Sequence, residues 1–294
     1  MSANWKSSPM IALVALVGVT AVWGYTFLVV QDAIARMPVM DFLAWRFLVA
    51  SVVMIALRPT CLRNVTRLEL LRGIGLGTIL GLGYITQTYG LRYISAATSG
   101  FITGMFVVLT PVMSWILLRR KTKRNTWMLI ALATVGLALL SLNGWSVGIG
   151  ELLTLGCAVF FAIHIVGLGE WSSQYEPYAF SLLQIGAVAL ISVIAATPEG
   201  IAVPPNPGVW VVVGITGVLA TAVAFFVQTW ALSLVSATRA AVVMTMEPVF
   251  AGLFAVVIGG NRLTLRTLAG AACILAAMFI INLKSGRSDT RLKT

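Results

Sequence analysis

Ten stretches of the chain are each about as long and as apolar as a helix that crosses a lipid bilayer. They are 10–30, 41–57, 73–91, 96–118, 126–142, 150–169, 178–196, 209–232, 237–258 and 265–283. A bilayer's hydrocarbon core is about 30 Å thick, and roughly 20 mainly apolar residues in a helix cross it. Of the 294 residues, 59% are apolar and only 10% are charged. Soluble domains carry roughly 25% charged residues. A water-soluble globular protein and a disordered chain are therefore both excluded. Alternating apolar and polar decamers, the mark of a transmembrane β-barrel, are absent. The expected fold class is an all-α integral membrane protein with ten transmembrane helices. No connecting segment is long enough to form a soluble domain.

The first apolar stretch, with Ala33-Ile34-Ala35 after it, has the outline of a cleavable signal. Signal cores run to about 7–15 apolar residues, and this stretch is longer. It is expected to stay as a helix. The net charge of +11 reflects loop bias rather than nucleic-acid binding, since basic residues gather in cytoplasmic loops. With the N-terminus inside, fifteen basic residues fall on the cytoplasmic side: Lys6, Arg58, Arg63, Arg67, Arg72, Arg119, Arg120, Lys121, Lys123, Arg124, Arg239, Lys284, Arg287, Arg291 and Lys293. Four fall outside: Arg36, Arg92, Arg262 and Arg266. The expected location is a bacterial inner (plasma) membrane, with both termini cytoplasmic. Cys61, Cys157 and Cys273 lack CxxC spacing and suggest neither a disulfide framework nor a metal site.

The second half of the chain echoes the first. Gln87-Thr88-Tyr89-Gly90-Leu91 returns as Gln228-Thr229-Trp230-Ala231-Leu232, and Ser95-Ala96 as Ser236-Ala237, both 141 residues later. Pro111-Val112 returns as Pro248-Val249, about one helical turn early. Gly18, Trp23 and Gly24 align with Gly156, Phe161 and Ala162. Five spans per half is an odd number, so the second half must enter the membrane from the opposite face. The chain divides into a five-helix repeat at 1–145 and an inverted one at 146–294. Inverted repeats are typical of secondary transporters, whose substrate sites lie near the midplane where the repeats meet.

Polar side chains inside such spans are costly and mark function or pairing. Glu247 falls mid-span before Pro248, which bends a helix. It reads either as a contact for a substrate ammonium or a proton carrier, or as a structural carboxylate paired with Arg46 or Arg239. His164, the only histidine, reads either as a hydrogen-bonding or titrating group or as a satisfied packing residue. Gln87 and Gln228 stand at equivalent places and serve either as cavity lining or as helix glue. Arg46 aligns with Gln184, and its nearness to Asp41 suggests a local ion pair. Trp23 and Tyr84 adjoin glycines deep in their spans and are cavity candidates. Trp127 and Trp210 suit interfacial anchors. Gly73, Gly77 and Gly81 form one stripe where backbones can approach closely.

Together these features resemble the EamA-type branch of the drug/metabolite transporter (DMT) superfamily. They are Trp23-Gly24 with Phe27, Arg46-Phe47, Gln87-Thr88, Ser95-Ala96, Pro111, Glu247-Pro248 and a glycine-rich tenth span. The resemblance covers about 10–283 and implies a ten-helix exporter of amino acids, metabolites or amphipathic compounds. Carried over, it implies a substrate site lined by Trp23, Tyr84, Gln87, Phe101, Met105, His164, Gln228 and Glu247. Glu247 and His164 are the candidates for proton coupling. One departure concerns the rims. Where many members carry an acidic residue after spans four and nine, this chain reads Arg119-Arg120-Lys121 and Gly260-Asn261-Arg262.

The expected activity is alternating-access export of small organic solutes. A facilitative carrier or an import permease is the nearest alternative. An intramembrane enzyme is remote, because Asp32, Asp41 and Asp289 lie at loops, span ends or the tail and no GxSG motif is present. No cofactor, metal or catalytic residue is expected. The expected partners are a small-molecule substrate and the lipid bilayer, with the protein a monomer or a weak homodimer.

Overall fold

A computed structural model describes residues 8–119, 124–143, 146–235, 240, 243–260, 264–266, 268–277 and 280. Several of the expected features lie outside the described residues. They are Ser236-Ala237, Lys6, Arg120, Lys121, Lys123, Arg239, Asn261, Arg262 and the basic tail from Lys284.

Among the described residues the regular structure is all helical apart from a two-residue ladder pairing Leu142 with Val147 and Asn143 with Ser146. The helices are α1 (Pro9–Ile34), α2 (Val39–Leu57), α3 (Arg67–Gly90), α4 (Ala96–Gly104), α5 (Phe106–Leu118) and α6 (Arg124–Ser141). After the ladder come α7 (Ile149–Trp171), α8 (Pro177–Ala196), α9 (Pro207–Gly217), α10 (Ala224–Leu234), α11 (Met246–Val257) and α12 (Leu268–Ala277). Seven stretches among the described residues are long and apolar enough to cross a bilayer: α1, α2, α3, Ala96–Leu118, Ile149–Gln174, α8 and Pro207–Leu234. Three shorter apolar helices, Trp127–Gly136, α11 and α12, lie inside the fifth, ninth and tenth expected spans.

Local chemistry sets where the helices begin. An N-cap side chain satisfies backbone N–H groups that a first turn leaves free. Thr66 Oγ1 accepts from Glu69 N at 3.1 Å at the start of α3, and Ser95 Oγ accepts from Thr98 N at 3.1 Å ahead of α4. Glu176 and Asn206 cap α8 and α9 in the same way, each followed by Pro177 or Pro207, whose missing N–H costs nothing there. Thr66 places the start of α3 at Arg67, six residues before the expected boundary.

Outward faces carry bare apolar side chains such as Val14, Val52, Leu71, Leu190, Ile194 and Val211, all more than half exposed. Lipid is the environment that such faces require. Inward faces meet closely. A Cβ on Gly77 would come within 2.5 Å of the Gln184 carbonyl oxygen, and one on Gly73 within 2.7 Å of Leu183 Cβ. The glycine stripe is thus the seam between α3 and α8, looser at Gly81. Gly24 presses on Phe250 and Ala251, joining α1 to α11.

The packing has a repeating plan. Helix α3 packs on α7 and α8, while α9 and α10 pack on α2 and α1. Helix α1 packs on α11, while α7 packs on α4 and α5. Helix α2 lies against α8, and α4 against α11. Nearly all of these seams join the first half of the chain to the second.

Among the described residues, the helical winding is interrupted at three places inside the expected spans. Met105 breaks the fourth stretch between α4 and α5, and Thr245 stands just before α11. A π-helical turn, Val218–Val223, separates α9 from α10, with Thr221 Oγ1 donating to Thr216 O at 2.8 Å. Such wide turns gather at functional sites.

Candidate functional site

A cavity with about 450 Å³ of empty space, part of it open to the outside, lies where the two halves meet. Its wall is built from matching positions. Trp23, Thr26 and Phe27 of α1 stand where Phe161, His164 and Ile165 stand in α7, 138 residues on. Tyr84 and Gln87 of α3 match Phe225 and Gln228 of α10, 141 residues on. Leu80, Phe106, Met244 and Glu247 complete the lining.

Six aromatic rings, those of Trp23, Phe27, Tyr84, Phe106, Phe161 and Phe225, line the cavity. Trp23 meets Phe225 with centroids 5.6 Å apart, and the equivalent pair, Phe161 and Tyr84, stands at 5.4 Å. These are favourable ring separations, each contributing about 0.5–1.5 kcal/mol beyond burial. Trp23 Nε1 donates to the carbonyl of Ala220 at 2.8 Å, so the π turn's backbone is tied to α1.

The polar groups are mostly held by their own neighbours. Gln87 Nε2 donates to Thr103 Oγ1 at 3.2 Å, and Gln228 Nε2 faces Met244 Sδ at 3.9 Å. The two amides thus make the same reach, each to a residue sixteen places on. Among the described residues, Gln228 Oε1 is buried without a hydrogen-bond partner. Gln184 Nε2 donates to Phe180 O at 2.8 Å. That leaves Gln184 Oε1 to face His164 Nε2 at 2.7 Å. An amide oxygen only accepts, so His164 Nε2 carries a proton, which makes Nδ1 the acceptor when the ring is neutral. Glu247 is 5% exposed, and no hydrogen bond or ion pair to its carboxylate is present among the described residues.

Arg46 corrects two expectations. It makes no ion pair with Asp41, whose Oδ1 instead accepts from Ala202 N at 3.1 Å. Nor does it pair with Glu247. Its guanidinium is buried over the Tyr84 ring, 4.7 Å from the centroid, and Nε donates to Thr221 Oγ1 at 2.9 Å. A residue expected near a span end thus joins α2 to α3 and the π turn. The alternative partner for Glu247, Arg239, lies outside the described residues.

Of the eight side chains expected at the site, Trp23, Tyr84, Gln87, His164, Gln228 and Glu247 share this cavity. Phe101 and Met105 do not line it. Phe101 is 4% exposed and lies against Gly252, in the seam between α4 and α11. Met105 is buried at the break between α4 and α5. The structure adds Thr26, Phe27, Leu80, Phe106, Phe161, Ile165, Phe225 and Met244. Carrying the repeat offset from Trp23 and Tyr84 would have found Phe161 and Phe225. No group of three or more His, Cys, Asp or Glu side chains suited to a metal ion occurs among the described residues.

A bundle of long apolar helices around a cavity with a few polar groups is the build of a membrane protein that handles small solutes. The chain belongs to the EamA-like transporter family, whose pattern matches it twice, over residues 10–142 and 148–283. It is similar to an uncharacterized transporter of Archaeoglobus fulgidus, with 33% identity over 93% of this chain and 85% of that one. The uncharacterized transporter YoaV of Bacillus subtilis is 23% identical over 91% of this chain and 95% of its own. A solved crystal structure shares the fold, with a TM-score of 0.65 and 20% identity, covering 93% of this chain and 97% of that one. The protein is therefore a multi-pass membrane transporter.

Proposed function

We propose that the protein is a secondary transporter that exports small organic solutes by alternating access. The solutes are amino acids, metabolites or amphipathic drugs. Its ten spans form two inverted five-helix halves, 1–145 and 146–294, in a bacterial inner membrane with both termini cytoplasmic. One observation carries the reading: equivalent residues from both halves line a single cavity. The exchange of partners across the halves supports a pseudo-two-fold axis in the membrane plane, about which the halves rock. Solute release then follows a shift between inward-open and outward-open populations. The aromatic rings hold the apolar part of the solute. Gln87, Gln228, His164 and Glu247 meet its polar part. Glu247 and His164 are the groups for proton coupling.

Transport is tested with protein reconstituted in liposomes and a panel of amino acids, amines and dyes, with and without a proton gradient. Saturable flux is expected, and no flux of any solute would overturn the proposal. Flux that ignores the gradient would favour the facilitative carrier. Orientation is tested at Cys61, a half-buried thiol between α2 and α3. A membrane-impermeant maleimide should label it from the cytoplasmic side only.

A further inference from the structure

Resting on the transporter reading, the donor and acceptor inventory of the cavity goes one step further. Among the described residues, its only ionisable carboxylate, Glu247, is buried and unpaired, and no Lys or Arg lines the wall. Arg46 is held elsewhere by Tyr84 and Thr221. The indole N–H of Trp23 is taken by the Ala220 carbonyl. The guanidinium and the indole N–H that would greet a carboxylate most strongly are thus engaged. Groups that accept hydrogen bonds are open instead: both Glu247 oxygens, His164 Nδ1, fixed as an acceptor by Gln184, and Gln87 Oε1. Gln228 Oε1 is a further acceptor left without a partner. A buried acceptor without a donor is costly, and a ligand that brings N–H groups removes that cost.

The geometry points to a cavity selective for an amphipathic organic cation bearing several N–H donors, a primary ammonium on an aromatic or aliphatic body, over the matching zwitterion or carboxylate. The ammonium sits among Glu247, His164 Nδ1 and Gln87 Oε1. The apolar body lies against Trp23, Tyr84, Phe161 and Phe225.

Four probes that share one phenyl body separate the terms: phenethylamine, phenylalanine, 3-phenylpropionate and phenethyltrimethylammonium. Binding is measured by calorimetry on the full-length protein in nanodiscs. Phenethylamine should bind at least about tenfold more tightly than each of the others, the margin of one charge-assisted hydrogen bond. Phenylalanine or phenylpropionate binding as well as the amine would overturn the charge selection. The trimethylated cation binding equally well would overturn the role of the N–H donors, as would the absence of binding by all four. Glu247→Gln keeps the shape and should cost the amine about tenfold while leaving phenylpropionate unchanged or tighter. Gln87→Met removes the Oε1 acceptor together with the Thr103 contact and should weaken the amine a few-fold without affecting the trimethylated cation. Unchanged amine affinity in both folded variants would overturn the inference. The amine-first order with no flux in liposomes would uphold this selectivity and sink transport. Flux of phenylalanine in preference to the amine would do the reverse.

Discussion

The rings of Tyr84 and Phe225 meet edge to face at the centre of the molecule, 6.1 Å between centroids, and each holds the same place in its half of the chain. Each also touches the aromatic residue contributed by the opposite half's first helix: Phe161 for Tyr84 and Trp23 for Phe225. The pair should therefore be energetically coupled. A double-mutant cycle of Tyr84→Leu and Phe225→Leu should return about 0.5–1.5 kcal/mol of interaction. Denaturant unfolding in mild detergent measures it, and additive effects would count against the contact.

At Gly77 the seam between α3 and α8 leaves no space for a methyl group. Gly77→Ala should destabilise the fold by about 1–3 kcal/mol through overpacking. Gly75→Ala is the control, since nothing lies within 4 Å of the added carbon. It should be neutral or stabilise by up to about 1 kcal/mol, because alanine is the better helix former. Equal melting temperatures for the two variants would argue against the seam.

Arg46 holds its place through the Tyr84 ring and Thr221 more than through the Tyr84 hydroxyl, which lies 3.4 Å from Nη2. Tyr84→Phe keeps the ring and should shift stability by less than about 0.5 kcal/mol. Arg46→Lys gives up the Nε bond and the flat stack together. It should lower the melting temperature clearly more than Tyr84→Phe does. The reverse order would mean that the hydroxyl is the anchor.

Gln184 fixes the tautomer of His164, and its own amide is fixed by Phe180 O. Gln184→Leu leaves the imidazole N–H without a partner and should cost about 1–3 kcal/mol. His164→Leu in the same background should recover part of that loss, because it removes the orphaned donor. Unfolding curves of the single and double variants decide it. A purely additive double variant would show that the bond carries no weight.

The exposed pair Arg58 and Glu176, 2.9 Å apart, is a contrasting case. Arg58→Ala should change stability by no more than about 1 kcal/mol, and the change should fade as salt is raised. A salt-independent loss would point to its ring contact with Tyr178.

Much of this was legible in the sequence because lipid imposes simple rules. Length and hydropathy located the stretches that became helices. Polar and aromatic side chains deep in apolar spans, together with the family resemblance, named Trp23, Tyr84, Gln87, His164, Gln228 and Glu247 before any of them had a position in space. What the sequence hid was direction. Met105 and Phe101 share a helical run with cavity neighbours, yet one falls at a helix break and the other turns into a seam. Pro111 marks a helix that can bend, yet the interruption falls six residues earlier, at Met105. Arg46 looked like a partner for Asp41 because the two are close along the chain. Across the fold, Thr221 is closer to its guanidinium, and nothing in the chain's local order announces that. The wide turn at Val218–Val223 has no sequence mark either, since only apolar residues and Thr221 compose it.

That wide turn gives two stretches that match in sequence a different winding. Helix α3 runs unbroken past the cavity from Arg67 to Gly90, while its counterpart passes the same cavity through one turn wound looser than the rest. Trp23 and Arg46 both grip the loose turn, one by its Ala220 carbonyl and the other by the Thr221 hydroxyl. The second half's loosest turn is thus the one bound directly to the first two helices of the chain, and among the described residues no hydrogen bond grips the matching turn of α3 in the same way.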